Sequence, residues 1–199
     1  LIVTAGQRIG LLGGSFNPAH AGHVHISLEA AKRLQLDKVI WLVSPQNPLK
    51  KKDDLAVYSQ RLEFAKHLTA PHPLIAVSDI EQRAKLFYSC DTIAYLKAHY
   101  PQTHFVWLMG ADNWQQFNRW RDWQAIADAL PIAICDRSPL THTALHGKAA
   151  TRYRHARLPE RAELVTHKAP AWQFLFLPRH PLSATDLRNS LGADAFSMA

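Results

Sequence analysis

Short apolar runs recur along this chain, and between them apolar residues fall at helical spacing. The runs over 8–12, 38–43, 74–78, 104–109, 131–135 and 172–177 are too short for helices and rich in β-branched and aromatic residues, so they predict strands. The run Lys38-Val-Ile-Trp-Leu-Val43 does not alternate with polar residues. It has the character of a strand buried on both faces. Between the runs, Val24, Leu28, Ala31 and Leu34 predict a helix over 21–36. Leu62, Ala65 and Leu68 predict another over 58–68, closed by Pro71 and Pro73. A third helix is expected over 89–99, with Ser89 or Asp91 near its N-cap. The aromatic-rich stretch 113–129 reads as helical in part, and a last helix is expected over 183–191. Residues 137–170 break this rhythm: lysine and arginine dominate, only Glu160 and Glu163 are acidic, and one short helix is expected around 151–157.

Strands alternating with helices predict an α/β fold: a doubly wound, Rossmann-like parallel sheet with helices on both faces. The expected organisation is a single domain over 1–199, with a short C-terminal helical portion from about 183. In such sheets ligands bind beyond the carboxyl ends of the strands, near a switch in strand order. The segments that follow the predicted strands are 13–23, 44–52, 78–83, 110–112, 136–137 and 178–188. Most of the distinctive polar chemistry of the chain lies in this set.

Charge sharpens the picture. Lysine and arginine number 23 against 16 acidic residues, and the pI is about 9.6, so anionic partners such as nucleotides or nucleic acid are favoured. A basic nucleic-acid-binding module is one reading of segment 137–170. Its basic run holds a single aromatic, Tyr153, which leaves little for bases to stack on. A basic face serving only solubility or oligomer contacts explains residues 148–168 more simply. Cys90 and Cys135 are far apart and form no CxxC, so neither a disulfide framework nor a zinc site is expected, and a cytoplasmic setting fits. No apolar run is long enough to span a membrane, and the first residues are too short and polar for a signal peptide. The chain opens on Leu1 rather than methionine, so further residues before it are expected.

The stretch Gly13-Gly14-Ser15-Phe16-Asn17-Pro18-Ala19-His20-Ala21-Gly22-His23 joins the first strand to the first helix. It contains neither GxGxxG nor GxxxxGK[ST], which disfavours a dinucleotide fingerprint and a P-loop. Glycines there tolerate positive φ and close approach of a ligand. N–H groups of the turn and the positive end of the helix can hold a phosphate. His20 and His23, three residues apart, can face one ligand, and Gly22 between them leaves room for it. A simple tight turn, a structural histidine pair and a metal site remain open on these residues alone. The metal reading lacks a third ligand at a recognisable spacing. A second constellation, Ser183-Ala184-Thr185-Asp186-Leu187-Arg188, combines helix-start N–H groups, two hydroxyls and a guanidinium, an anion site or else a capped surface helix.

The first stretch closely resembles the HxGH signature of the nucleotidylyltransferase superfamily, and 182–188 resembles its ISxTxxR motif. The segment Gly110-Ala-Asp-Asn-Trp-Gln-Gln-Phe-Asn-Arg-Trp120 is similar to that of bacterial nicotinate-nucleotide adenylyltransferases. The resemblance covers about 8–191. It implies transfer of the AMP part of ATP to nicotinate mononucleotide, giving deamido-NAD and pyrophosphate in NAD biosynthesis, with Mg²⁺ accompanying ATP. Related acceptors are nicotinamide mononucleotide and phosphopantetheine. By the resemblance His20, His23 and Arg188 are catalytic, and Gly13, Gly14, Ser15, Phe16, Gly110, Asp112, Ser183 and Thr185 join them in binding ATP. Asn47, Lys50, Ser89, Asp91, Thr92, Asp112, Trp120 and Arg121 would bind the pyridine nucleotide, Trp120 by stacking on its ring. No protein metal site, nucleic acid or membrane is expected, and an oligomer is compatible. Two departures are visible: Asn17 where many relatives have Asp, and Ala184 where many have Ser. The family commonly continues past its last helix, so residues beyond Ala199 are expected.

Overall fold

The structure, a computed structural model, describes residues 3–45, 56–136 and 144–177. Strand and helix alternate: β1 (Arg8–Gly14), α1 (Ala21–Leu34), β2 (Lys38–Val43), α2 (Tyr58–Thr69), β3 (Ile75–Ser78), α3 (Ile80–Arg83) and α4 (Ser89–His99). There follow β4 (His104–Gly110), α5 (Ala111–Gln116), α6 (Trp123–Ala129), β5 (Ile132–Cys135), α7 (Lys148–Arg152), β6 (Arg157–Leu158) and β7 (Trp172–Leu175). The strands form one parallel sheet in the order β3-β2-β1-β4-β5-β7-β6. From β1 the chain first moves outward to β2 and β3, then returns to β4 on the other side of β1. Leu12 pairs with Leu108, and Gly14 with Val43. The ends of β1 and β4 therefore lie side by side at the switch point, where this class of sheet leaves a crevice.

Alternate residues of the strands build two cores. Ile9, Leu11, Trp107, Met109, Ile132 and Ile134 face one side, where they meet Ile93 and Leu96 of α4 and Ile126 of α6. Leu12, Trp41, Val106, Leu108 and Ala133 face the other, against Val24, Ile26 and Ala30 of α1 and Ala65 of α2. This two-residue alternation on a sheet covered on both sides is why the strands read as unbroken apolar runs. The basic segment is part of the same body: Leu164 and Val165 are buried in the second core, and Glu160 and Glu163 pair with Arg33 and Arg8.

Several boundaries differ from the sequence expectation. β1 continues through Gly13 and Gly14, which pair with Leu42 and Val43. α1 ends at Leu34 rather than 36, because Gln35 takes a left-handed conformation (φ 52) and Leu36 is needed against Gly10, where a Cβ would lie 2.8 Å from its Cδ1. Neither Ser89 nor Asp91 caps α4: Tyr88 occupies the N-cap, with no side-chain hydrogen bond. The buried line of α2 is Arg61, Ala65 and Thr69. The stretch 113–129 breaks after the 3-10 turn Phe117–Arg119, and β7 stops at Leu175. The short β6 and α3 carry no periodicity of their own and were not anticipated. The helix expected over 183–191 lies outside the described residues.

Candidate active site

Backbone geometry turns the chain at the end of β1. Phe16, not either glycine, takes the left-handed conformation there (φ 46). The glycines supply room instead. A Cβ on Gly13 would lie 2.8 Å from Cη2 of Trp107, and one on Gly14 would lie 3.3 Å from the Phe16 ring. Phe16 stacks on Trp41 at 4.8 Å, and the His23 ring stands 5.0 Å from Phe16 and 5.8 Å from Trp41. Trp41 is fixed in turn, since its indole N–H donates to Ser27 Oγ (2.8 Å) and that hydroxyl donates to the His23 carbonyl (2.7 Å).

The two histidines cap α1 reciprocally. Gly22 N–H donates to His20 Nδ1 (3.1 Å), and His20 N–H donates to His23 Nδ1 (3.2 Å). Because each Nδ1 accepts from a backbone amide, each neutral ring carries its proton on Nε2. The ring centroids are 3.9 Å apart, His20 is buried and His23 half-buried. The pair thus brings two ring N–H donors to the positive end of a 14-residue helix, at the switch point of the sheet. That arrangement suits an anionic phosphoryl group.

A third tie holds this turn. The Arg61 guanidinium is almost wholly buried and donates to the carbonyls of Ser15, Ser44 (2.9 Å), Pro45 (3.2 Å) and Ala56 (3.0 Å). Asn17 Oδ1 also accepts from the Ala56 N–H (3.0 Å). Asn17 is therefore a buried, neutral acceptor in the turn.

On the other side of the crevice, Gly110 closes β4 and Asp112 is half-buried in the first turn of α5. Trp120 stands edge-on against Trp107 at 6.3 Å and Phe117 at 5.5 Å. Trp107 thus connects Gly13 with Trp120. Arg121 lies over the Tyr88 ring (4.5 Å) and beside Asp122 (3.5 Å), which joins this segment to the start of α4. Ser89 is half-buried and Asp91 exposed there. Thr92 differs: it is fully buried and its hydroxyl donates to Glu81 Oε1 (2.9 Å). Burial pushes the Glu81 carboxyl up to about 7, against a smaller downward pull from the Thr92 hydrogen bond.

Comparison with known proteins decides the family. The cytidylyltransferase-like family model matches residues 11–190. Proteins named "Probable nicotinate-nucleotide adenylyltransferase" from Methylorubrum extorquens and Cereibacter sphaeroides are each 48% identical, over 184 and 180 residues. The first match covers 92% of this chain and 99% of the relative, the second 90% and 96%. The chain belongs to this family. A solved Plasmodium falciparum nicotinic acid mononucleotide adenylyltransferase complexed with NaAD superposes with a TM-score of 0.71 at 14% identity, covering 94% of this chain and 85% of that one. At that identity the likeness concerns the fold.

Within this cytidylyltransferase-like domain, the described residues thus bring Gly13, Gly14, Ser15, Phe16, His20, His23, Gly110, Asp112 and Trp120 to one edge, with Arg121, Ser89 and Asp91 joined to it through Tyr88. Asn47, Lys50, Ser183, Thr185 and Arg188 lie outside the described residues. No group of three or more His, Cys, Asp or Glu able to hold a metal occurs among the described residues. No helix among them is long and apolar enough to cross a membrane. Sequence reading missed Arg61, Trp107 and Glu81. Arg61 had one available signal: it lies four residues before Ala65, on the apolar side of its helix.

Proposed function

We infer that the protein transfers the adenylyl group of ATP to nicotinate mononucleotide, forming deamido-NAD and pyrophosphate in NAD biosynthesis. The observation that carries this reading is the reciprocally capped His20–His23 pair at the start of α1, beside the β1–β4 switch point. The high identity with nicotinate-nucleotide adenylyltransferases over nearly the whole chain supports the choice of acceptor.

In this reaction an oxygen of the nicotinate nucleotide's phosphate attacks the α-phosphorus of ATP. The bond from that phosphorus to the bridging oxygen breaks, pyrophosphate leaves with the electron pair, and a new phosphoanhydride forms. The attacking phosphate is already anionic, so no protein nucleophile is required. Catalysis rests on in-line placement and on donors aimed at the developing charge. His20 and His23 offer Nε2–H to phosphoryl oxygens, assisted by the backbone of Gly13, Gly14, Ser15 and Phe16. Gly110 and Asp112 border the nucleotide sugar. Trp120 stacks on the pyridine ring, with the Arg121 backbone, Ser89 and Asp91 facing the pyridine nucleotide; Asn47 and Lys50 are assigned to the same substrate, whereas Thr92, fully buried with its hydroxyl on Glu81, is not a direct contact. Ser183, Thr185 and Arg188 are assigned to ATP as the second phosphate grip, and the chain as a single domain. Mg²⁺ would enter with ATP as part of the substrate, since the two imidazoles of His20 and His23 are poor ligands for it. A cytoplasmic location is part of this reading.

The test supplies Mg-ATP with nicotinate mononucleotide, nicotinamide mononucleotide or phosphopantetheine. Pyrophosphate is followed and the adenylylated product identified by mass. The highest kcat/KM is expected with nicotinate mononucleotide. A higher value with either other acceptor, or no pyrophosphate with any, overturns the reading.

A further inference from the structure

Arg61 is a cation in an unfavourable place. It lies near the N-terminus of α2, where the helix dipole disfavours positive charge, and it is 1% exposed. Burial drives its pKa down. Among the described residues no carboxylate lies within ion-pair reach of it. A buried charge of this kind is costly unless its donors are satisfied. Four of its five N–H donors meet backbone carbonyls: Ser15 after β1, Ser44 and Pro45 after β2, and Ala56 ahead of α2. Tyr58 adds its ring at 5.4 Å. A helix–sheet contact in this core needs none of this, since Ala65 one turn away packs by apolar contact alone. The interaction falls on the turn that leads from β1 to His20 and His23.

We propose that Arg61 is a positioning residue for adenylyl transfer, its planar guanidinium setting the 15–17 turn so that the His20–His23 pair meets the phosphates in line. The proposal rests on the reading of the site given above. Guanidinium suits the task because it is planar, always charged and carries five donors in a fixed fork. A lysine ammonium has three donors at one point and cannot span four carbonyls from three segments. Among the described residues the Trp120 side of the crevice makes no hydrogen bond or ring contact with Arg61; it is held through Trp107, Phe117 and Tyr88.

The experiment compares the full-length protein with Arg61→Lys, Arg61→Met, His23→Ala and the Arg61→Met/His23→Ala pair. Folding is checked by circular dichroism, and kcat and KM are measured for both substrates. Arg61→Met is expected to lower kcat by about 10²-fold, the scale of a misplaced reacting group. KM for nicotinate mononucleotide should stay within about threefold, and Arg61→Lys should recover only part of the loss. The double variant should fall no more than about threefold below His23→Ala, because residues acting as one unit are not additive. Additive losses, full activity of Arg61→Lys, or equal damage to kcat and to the nicotinate nucleotide KM would overturn the proposal. Failure of both Arg61 variants to fold would also overturn it, by making Arg61 a residue of the fold rather than of the site. If the wild-type protein forms no deamido-NAD, the functional reading itself fails, which is a separate result.

Discussion

The tautomer of His23 is set by one backbone hydrogen bond, and the catalytic expectation depends on it. With Nδ1 held by the His20 amide, the ring presents Nε2–H as a donor. His23→Ala removes that donor and also leaves the His20 N–H at the helix start without this acceptor. A fall in kcat of roughly 10²–10³-fold is expected, the scale of one lost oxyanion donor. Steady-state kinetics at saturating Mg-ATP and nicotinate mononucleotide check it, and full activity would remove His23 from the mechanism. The histidine pair was legible in the sequence because spacing and a preceding glycine turn are local signals. Arg61 was not, because its four acceptors are backbone carbonyls, and carbonyls carry no residue identity. Trp107 was hidden for a different reason: its ring fills the space left by Gly13, two residues beyond its paired Leu11, and a missing side chain reveals nothing of what fills the space. The indole N–H of Trp107 is buried with no hydrogen-bond partner among the described residues.

At the scale of elements, β1 and β4 are joined by more than their ladder. Trp107 of β4 leans across Gly13 of β1 and meets Trp120 beyond the end of β4, so both sides of the crevice share one indole. An alanine at position 13 would place its Cβ 2.8 Å from that ring. The ring is 1% exposed in a close-packed core and cannot simply swing away. Gly13→Ala is therefore expected to destabilise the fold by about 1–3 kcal/mol, the usual scale of overpacking. Because Trp107 also packs against Trp120, KM for nicotinate mononucleotide should also rise. Urea unfolding and the KM together check this, and wild-type values for both would contradict the assigned packing. The strands themselves were legible because both sheet faces are covered, which turns each strand into an apolar run. The ends of elements were less so. Leu36 looks like a last helical residue but serves to cover Gly10, and β6 is two residues paired at the sheet edge.

For the whole molecule, the two cores are fixed by apolar alternation, and outside the phosphate side Glu81 is a buried carboxyl with a raised pKa. It stands just beyond β3, 7% exposed, with Thr92 of α4 donating to it. Its carboxyl is raised from 4.5 to about 7, mainly by burial. The folded protein therefore binds a proton that the unfolded chain has lost over the interval from about pH 4.5 to 7. Stability depends on pH in proportion to the protons bound unfolded minus those bound folded, so this group makes stability fall as pH rises through that window. A shift of this size corresponds to roughly 3 kcal/mol at pH values above both pKa values. Glu81→Gln keeps an oxygen acceptor for Thr92 and cannot ionise. Other titrating groups cancel when variant and wild type are compared at the same pH. The difference in unfolding free energy, variant minus wild type, should thus be constant below about pH 4.5, rise towards pH 7 and flatten beyond it. Urea unfolding at pH 4, 5.5, 7 and 8 checks this course. A difference that does not change with pH would mean that Glu81 is not held protonated by its surroundings. If the predicted rise appears, the residue that links α3 to α4 contributes most to stability when neutral, and its ionisation weakens the fold within the near-neutral range.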